Sequence, residues 1–122
     1  MRLGLAVVWL LFIVGAMLTP GNNFPAPSFN FEDKLIHLVC FGLLSFLWCG
    51  VGVKRALVTG VRGRVLVNYL IFGVAAGIVL ETAQLFIPFR SFDYIDMIVN
   101  EIGGAVGLLA YFKIPTTNIG LD

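Results

Sequence analysis

The chain has 122 residues, 59% of them hydrophobic and 12% charged, with a formal net charge of +1. Its mean hydropathy is +0.97, whereas soluble domains usually carry about 25% charged residues, so an ordinary water-soluble domain is excluded. Near-neutral charge leaves no basic surface for nucleic acid, and the composition predicts an all-α, polytopic integral membrane bundle.

Four apolar segments follow in order, and they are read as one domain, 1–122. The first runs from Leu3 to Leu18 behind Arg2 and is expected to span over about 3–19. A basic start followed by an apolar run is also the pattern of a signal peptide. No small-x-small cleavage site follows Leu18 directly, which favours an uncleaved span. "TPGNNFPAPSFNFEDK", rich in Pro, Gly and Asn, then reads as a loop. Spans two, three and four are expected at about 35–53, 65–86 and 92–112, since some 20 residues of helix cross the hydrocarbon layer. Cys40 and Cys49 share the second run. A helix holds them roughly 13 Å apart, beyond the ~7 Å reach of a disulfide, so both read as small buried hydrophobes.

Between the second and third runs lies "KRALVTGVRGR", with four bases and no acid. Short loops rich in Lys and Arg stay in the cytoplasm. Arg2 and Lys113 agree, which predicts both termini inside, in a multi-pass protein of the inner (cytoplasmic) membrane. Three distant segments then bring polar residues to one non-cytoplasmic level: Asp33, Lys34 and His37; Glu81 and Gln84; and Arg90, Asp93, Asp96 and Asn100. Phe24, Phe29, Phe31, Phe86, Phe89, Phe92 and Tyr94 flank that level as interfacial anchors.

Helical spacing places these residues on faces. Asp33 and His37 are four apart and share a face. Glu81 and Gln84 extend a stripe begun by Gly73 and Gly77, while Asp93, Asp96 and Asn100 run on into Gly104, Gly107 and Tyr111. Span two carries its own small-residue line at Gly42, Ser45, Cys49 and Gly52. Gly73–Gly77 and Gly103–Gly107 are G-x-x-x-G pairs, expected to pack tightly because small residues let helix backbones approach in lipid. Ser91 and Asp93 also read as helix caps, and Glu32 as a solvated loop charge. For Glu81, Asp96 and Asn100 a network or functional role is favoured, because polar groups at membrane depth are expensive. His37 reads as a structural hydrogen-bonding residue or as one half of an Asp33–His37 pair set for proton transfer or metal binding.

At these residues the chain resembles the VanZ-like family, membrane proteins named after a teicoplanin-resistance protein. In "EDKLIHLVCFGLL", Asp33, Lys34, His37 and Phe41 fit a D-K-x-x-H pattern. In "ETAQLFIPFRSFDYIDMIVNEIGG", Glu81, Gln84, Arg90, Asp93, Asp96, Asn100 and Gly103 fit E-x-x-Q followed by R, D, D, N and G. Phe89, before the arginine, and Glu101 depart from the residues common in the family. The resemblance implies a helical membrane protein, linked in some members to antibiotic resistance, and supplies no established reaction.

Three functions remain open. In the first, a cell-envelope binding protein uses Asp33, Lys34, His37, Glu81, Gln84, Arg90, Asp93, Asp96 and Asn100 to hold a membrane lipid, a lipid-linked envelope precursor or a lipoglycopeptide. Lys34 and Arg90 would then meet phosphate or carboxylate. In the second, an intramembrane hydrolase or transferase uses His37 as base, Asp33 as its orienter, and Glu81 or Asp96 as acid or metal ligand. In the third, the polar residues only pin the bundle together. The sequence has no CxxC pair, His-rich tract, H-E-x-x-H or G-x-S-x-G motif, so the reading carries no metal and no cofactor. A transporter is disfavoured, since four short spans without a repeat give little material for alternating access. Reporter fusions test the topology: Thr59 should read cytoplasmic and Phe89 external, and the reverse pattern would remove the outward-facing site.

Overall fold

The computed structural model describes residues 1–19, 32–52, 61–88 and 94–114, with the side chains of 32, 33, 61 and 62 outside the description. Among the described residues there are four helices and no strand. Helix α1 is Arg2–Leu18 and α2 is Glu32–Cys49. Helix α3 covers 61–86 as an α segment Val61–Asn68, a π segment Tyr69–Ala75, a second α segment Ala76–Ala83 and a 3-10 turn Gln84–Phe86. Helix α4 is Tyr94–Lys113.

Local chemistry sets the ends. Helix α1 stops at Thr19, which is extended (φ −82°, ψ 139°) because the following proline, Pro20, disfavours helical backbone there. The Thr19 hydroxyl donates to the Gly15 carbonyl at 2.5 Å. Helix α2 ends at Cys49, short of the expected 53, and Gly52 beyond it has a φ of 75°. That conformation favours glycine, so Gly52 leaves the expected small-residue line and serves the turn instead.

The helices alternate in direction. Arg2, at the start of α1, reaches the end of α2, donating from one guanidinium nitrogen to Phe46 O at 2.8 Å and Leu47 O at 2.9 Å. Asn68, early in α3, donates from Nδ2 to Cys49 O and Val51 O at 3.3 and 2.8 Å. At the opposite pole, Gln84 Nε2 donates to Met17 O at 3.2 Å and His37 lies 2.8 Å from Asn100. Helices α2 and α4 therefore run parallel to each other and antiparallel to α1 and α3.

Arg2 is only 5% exposed. Its expected part as a bare topological charge is incomplete, since it also satisfies carbonyls that the last turn of α2 leaves without helical partners. Its guanidinium sits 5.5 Å from the Phe46 ring centre and 5.4 Å from that of Tyr111, close enough for cation–π attraction. Gly50 makes the space: a Cβ there would come within 2.7 Å of three guanidinium atoms.

Glycines set the tightest contacts. A Cβ on Gly103 would lie 2.5 Å from Leu38 O, and one on Gly107 would collide with Gly42 O. On the other side of α4, a Cβ on Gly104 would collide with Gly73 O, inside the π segment of α3. The apolar core forms around these contacts, with Phe41, Leu44, Ala6 and Ile13 at 2% exposure or less. Trp48 stacks on Phe72 at 3.8 Å between ring centres, and Trp9 Nε1 donates to Cys40 O at 3.0 Å. Both cysteines are free.

Polarity is distributed inside-out relative to a water-soluble protein. Buried side chains include His37, Ser45, Asn68, Glu81, Gln84, Asp96 and Asn100, while Val8, Leu11, Val79, Ile98 and Leu109 are each more than 55% exposed. Two helical stretches, Gly63–Phe86 and Tyr94–Lys113, are long and apolar enough to cross a membrane, and two shorter apolar helices accompany them.

The glycine contacts give a stability test. Gly104→Ala forces two backbones apart and should destabilise the bundle by about 1–3 kcal/mol. Gly15→Ala meets open space and should be neutral or stabilising by up to about 1 kcal/mol. Reversible unfolding in mixed micelles measures both; equal effects would contradict the packing.

Candidate functional site

Because α2 and α4 run parallel, equivalent turns face one another as rungs. The uppermost described rung pairs Lys34 Nζ with Asp96 Oδ1 at 3.1 Å, with side-chain exposures of 25% and 9%. One turn deeper, His37 Nδ1 lies 2.8 Å from Asn100 Oδ1. Below these come the Leu38–Gly103 and Gly42–Gly107 backbone contacts. The spacings 34 to 37 and 96 to 100 each amount to about one helical turn, which keeps both polar rungs in step. The small residues beneath bring the two axes close enough for short side chains to meet.

Helix α3 closes the third side. Glu81 is 0% exposed, and one donor atom from each of His37, Glu81 and Asp96 lies within 4.8 Å of the other two. One turn away, Gly77 leaves room for Asn100: a Cβ there would stand 3.2 Å from Asn100 Cβ and 2.9 Å from Glu101 Oε1. The carbonyl oxygen of Asn100 can only accept, so the proton between it and His37 is assigned to Nδ1. A neutral imidazole then keeps its lone pair on Nε2. This arrangement can bind a cation or an amine, accept a proton at His37, or donate hydrogen bonds from Lys34 and Asn100.

The structure brings together Lys34, His37, Glu81, Asp96 and Asn100 of the sequence-derived candidates. Gln84 is buried nearby, but its amide nitrogen ties α3 to the last turn of α1 through Met17 O. Arg90, Asp93 and the Asp33 side chain lie outside the described residues, as do Ser91 and the expected anchors Phe24, Phe29, Phe31, Phe89 and Phe92. Phe86 and Tyr94 are 83% and 73% exposed beside the cluster. The described bond to the His37 imidazole comes from Asn100 on another helix, a partner that the spacing within α2 could not reveal. Glu101 lies against Gly77, and its Oε1 has no hydrogen-bond partner among the described residues.

A family model described as VanZ/LLP1 matches residues 4–115. The chain belongs to the VanZ/LLP1 family. The match extends beyond the two motif blocks of residues 32–104 and takes in most of α1 and all of α4. The chain is also 30% identical over 106 residues to an uncharacterised protein of Schizosaccharomyces pombe, a match covering 86% of this chain and 60% of that relative. It thus spans about three-fifths of that relative's length. No solved structure matches the chain.

The central bond of this VanZ/LLP1 cluster is open to a double-mutant cycle. Single His37→Leu and Asn100→Leu substitutions each strand a buried polar partner, and the double variant removes both. The coupling energy should fall within about 0.5–3 kcal/mol, read from unfolding in mixed micelles. Strict additivity would show that the two side chains do not interact.

Proposed function

We propose that this VanZ/LLP1 chain is a four-span protein of the cytoplasmic membrane, with both termini inside, that binds the polar headgroup of an envelope lipid. A lipid-linked precursor carries the same kind of headgroup. The observation that carries the reading is the convergence of His37, Glu81 and Asp96 from three helices within 4.8 Å, in a bundle whose outer face is apolar. Polar groups at membrane depth are expensive and mark binding or transfer pathways. Lys34, a quarter exposed at the edge, supplies an ammonium for phosphate, while the carboxylates suit amine or hydroxyl groups. The exposed Leu and Val side chains leave the ligand's tails in lipid. In this reading Arg90 adds a bidentate contact to the anion, and a lipoglycopeptide such as teicoplanin is a second ligand of the same polar chemistry.

The orientation of His37 favours a second reading, an intramembrane hydrolase or transferase. Its Nε2 would act as base and Glu81 or Asp96 as acid. Turnover of a radiolabelled envelope lipid by the purified chain separates this reading from binding alone.

Native mass spectrometry of the chain released from nanodiscs tests the binding itself. Hydrogen bonds to charged groups contribute about 1.5–3 kcal/mol, so Lys34→Ala and Asn100→Ala should each weaken headgroup binding roughly 10- to 100-fold. Folded variants that retain lipid like the wild type would contradict the proposal. Variants that unfold would favour a purely structural network.

A further inference from the structure

His37, Glu81 and Asp96 come from α2, α3 and α4, so no linear motif announces them as a set. All three are buried, and each offers a donor atom within 4.8 Å of the others. Two carboxylates withdrawn from water are destabilising unless a cation or strong donors compensate them. The Lys34 ammonium meets Asp96 at 3.1 Å from the rim of the cluster, while Glu81, at 0% exposure, sits at its most desolvated point.

Two features of Asn100 bear on what fills such a place. Its Oδ1 faces His37 Nδ1 at 2.8 Å, and a carbonyl oxygen behind one ring nitrogen is how proteins orient a metal-ligating histidine. Its Nδ2, in a residue 0% exposed, has no hydrogen-bond partner among the described residues. A buried donor without an acceptor is unfavourable. A water or oxyanion held on a cation would supply that acceptor.

The geometry points to a divalent-cation site formed by His37, Glu81 and Asp96, with Asn100 orienting the imidazole and donating to an oxygen ligand on the ion. Three protein ligands leave an open coordination position, as in catalytic rather than structural zinc sites. One nitrogen and two carboxylates suit a first-row ion such as Zn²⁺ or Mn²⁺ better than Ca²⁺, which takes six to eight oxygens. Bonds of about 2.0–2.2 Å to a tetrahedral ion place donors roughly 3.4 Å apart, so small side-chain rotations would close the set. The sequence reading offers Glu81 or Asp96 as a metal ligand only within its enzyme alternative; the site here stands on the cluster alone, independent of any lipid.

The test uses the full chain, purified in detergent without a histidine tag, stripped with EDTA, and titrated with Zn²⁺ or Co²⁺ alone. The wild type should take up one ion per chain, with Co²⁺ giving visible d–d bands, and its Tm should rise with metal concentration. Glu81→Gln and His37→Ala should abolish uptake. Asn100→Ala should weaken it about 10- to 100-fold, the usual effect of losing an outer-shell partner. A Cys40→Ala/Cys49→Ala variant should bind like the wild type, which excludes the thiols as ligands. Should Glu81→Gln or His37→Ala fail to fold, the Co²⁺ spectrum and Tm response of the wild type decide. A wild-type chain that takes up no ion, or folded variants that bind as it does, would overturn the site.

Discussion

The polar cluster of this bundle depends on two parallel helices touching backbone to backbone. Helices α2 and α4 meet where Gly103 faces Leu38 O and Gly107 faces Gly42 O, contacts that any side chain would separate. Where lipid tails surround helices, packing and hydrogen bonding, rather than burial from water, hold them together. Once the axes are this close, short side chains from the two helices can meet in the turn above. It is filled by His37 with Asn100, and then by Lys34 with Asp96 at the rim. The glycine contacts and the polar cluster are two consequences of one helix pair.

Helix α3 adapts to that pair through its own irregularity. The π segment Tyr69–Ala75 widens the helix, with the Ala76 N–H donating back five residues to Ile71 O. It carries Gly73, whose carbonyl faces Gly104. Such widened turns are frequent at functional sites, and here the following α segment delivers Glu81 to the space between His37 and Asp96. The other pole is polar for a different reason. There Arg2 and Asn68 satisfy the carbonyls that α2 leaves exposed at its end, an arrangement that apolar surroundings demand. At the cluster's pole side chains meet mainly side chains, with Gln84 also reaching Met17 O, and at the other pole they meet backbone.

The helical segments were legible in the sequence because uninterrupted apolar runs bounded by Pro, Gly and charge have few other solutions. The residues at the cluster's level were legible too, since a carboxylate in such a run has to be placed at an end or paired. Partners across helices were less so. Spacing within α2 set Asp33 beside His37, but the described bond to the imidazole comes from α4. The glycine pairs announce tight packing but not its partners: Gly73 and Gly77 meet α4, whereas Gly103 and Gly107 meet α2. The end of α2 was missed because residues 49–53 stay apolar or small throughout, leaving only the positive φ of Gly52 to mark the turn. Asn68 could have been found, as it is a polar residue within an apolar run, and the rule that singled out Glu81 applies equally to it. Burial of Arg2 could not, because the same residue at an amino end also reads as a solvated topological charge.

The central claim is that His37 of α2 and Asn100 of α4 are held in contact inside the bundle. Solid-state NMR of the isotope-labelled chain in lipid bilayers measures this directly, through dipolar coupling between the His37 Nδ1 nitrogen and the Asn100 carboxamide carbon. A strong cross-peak is predicted, together with a proton resident on Nδ1, as the 2.8 Å separation from Asn100 Oδ1 requires. An absent cross-peak, with a His37 shift typical of a water-exposed imidazole, would contradict the account.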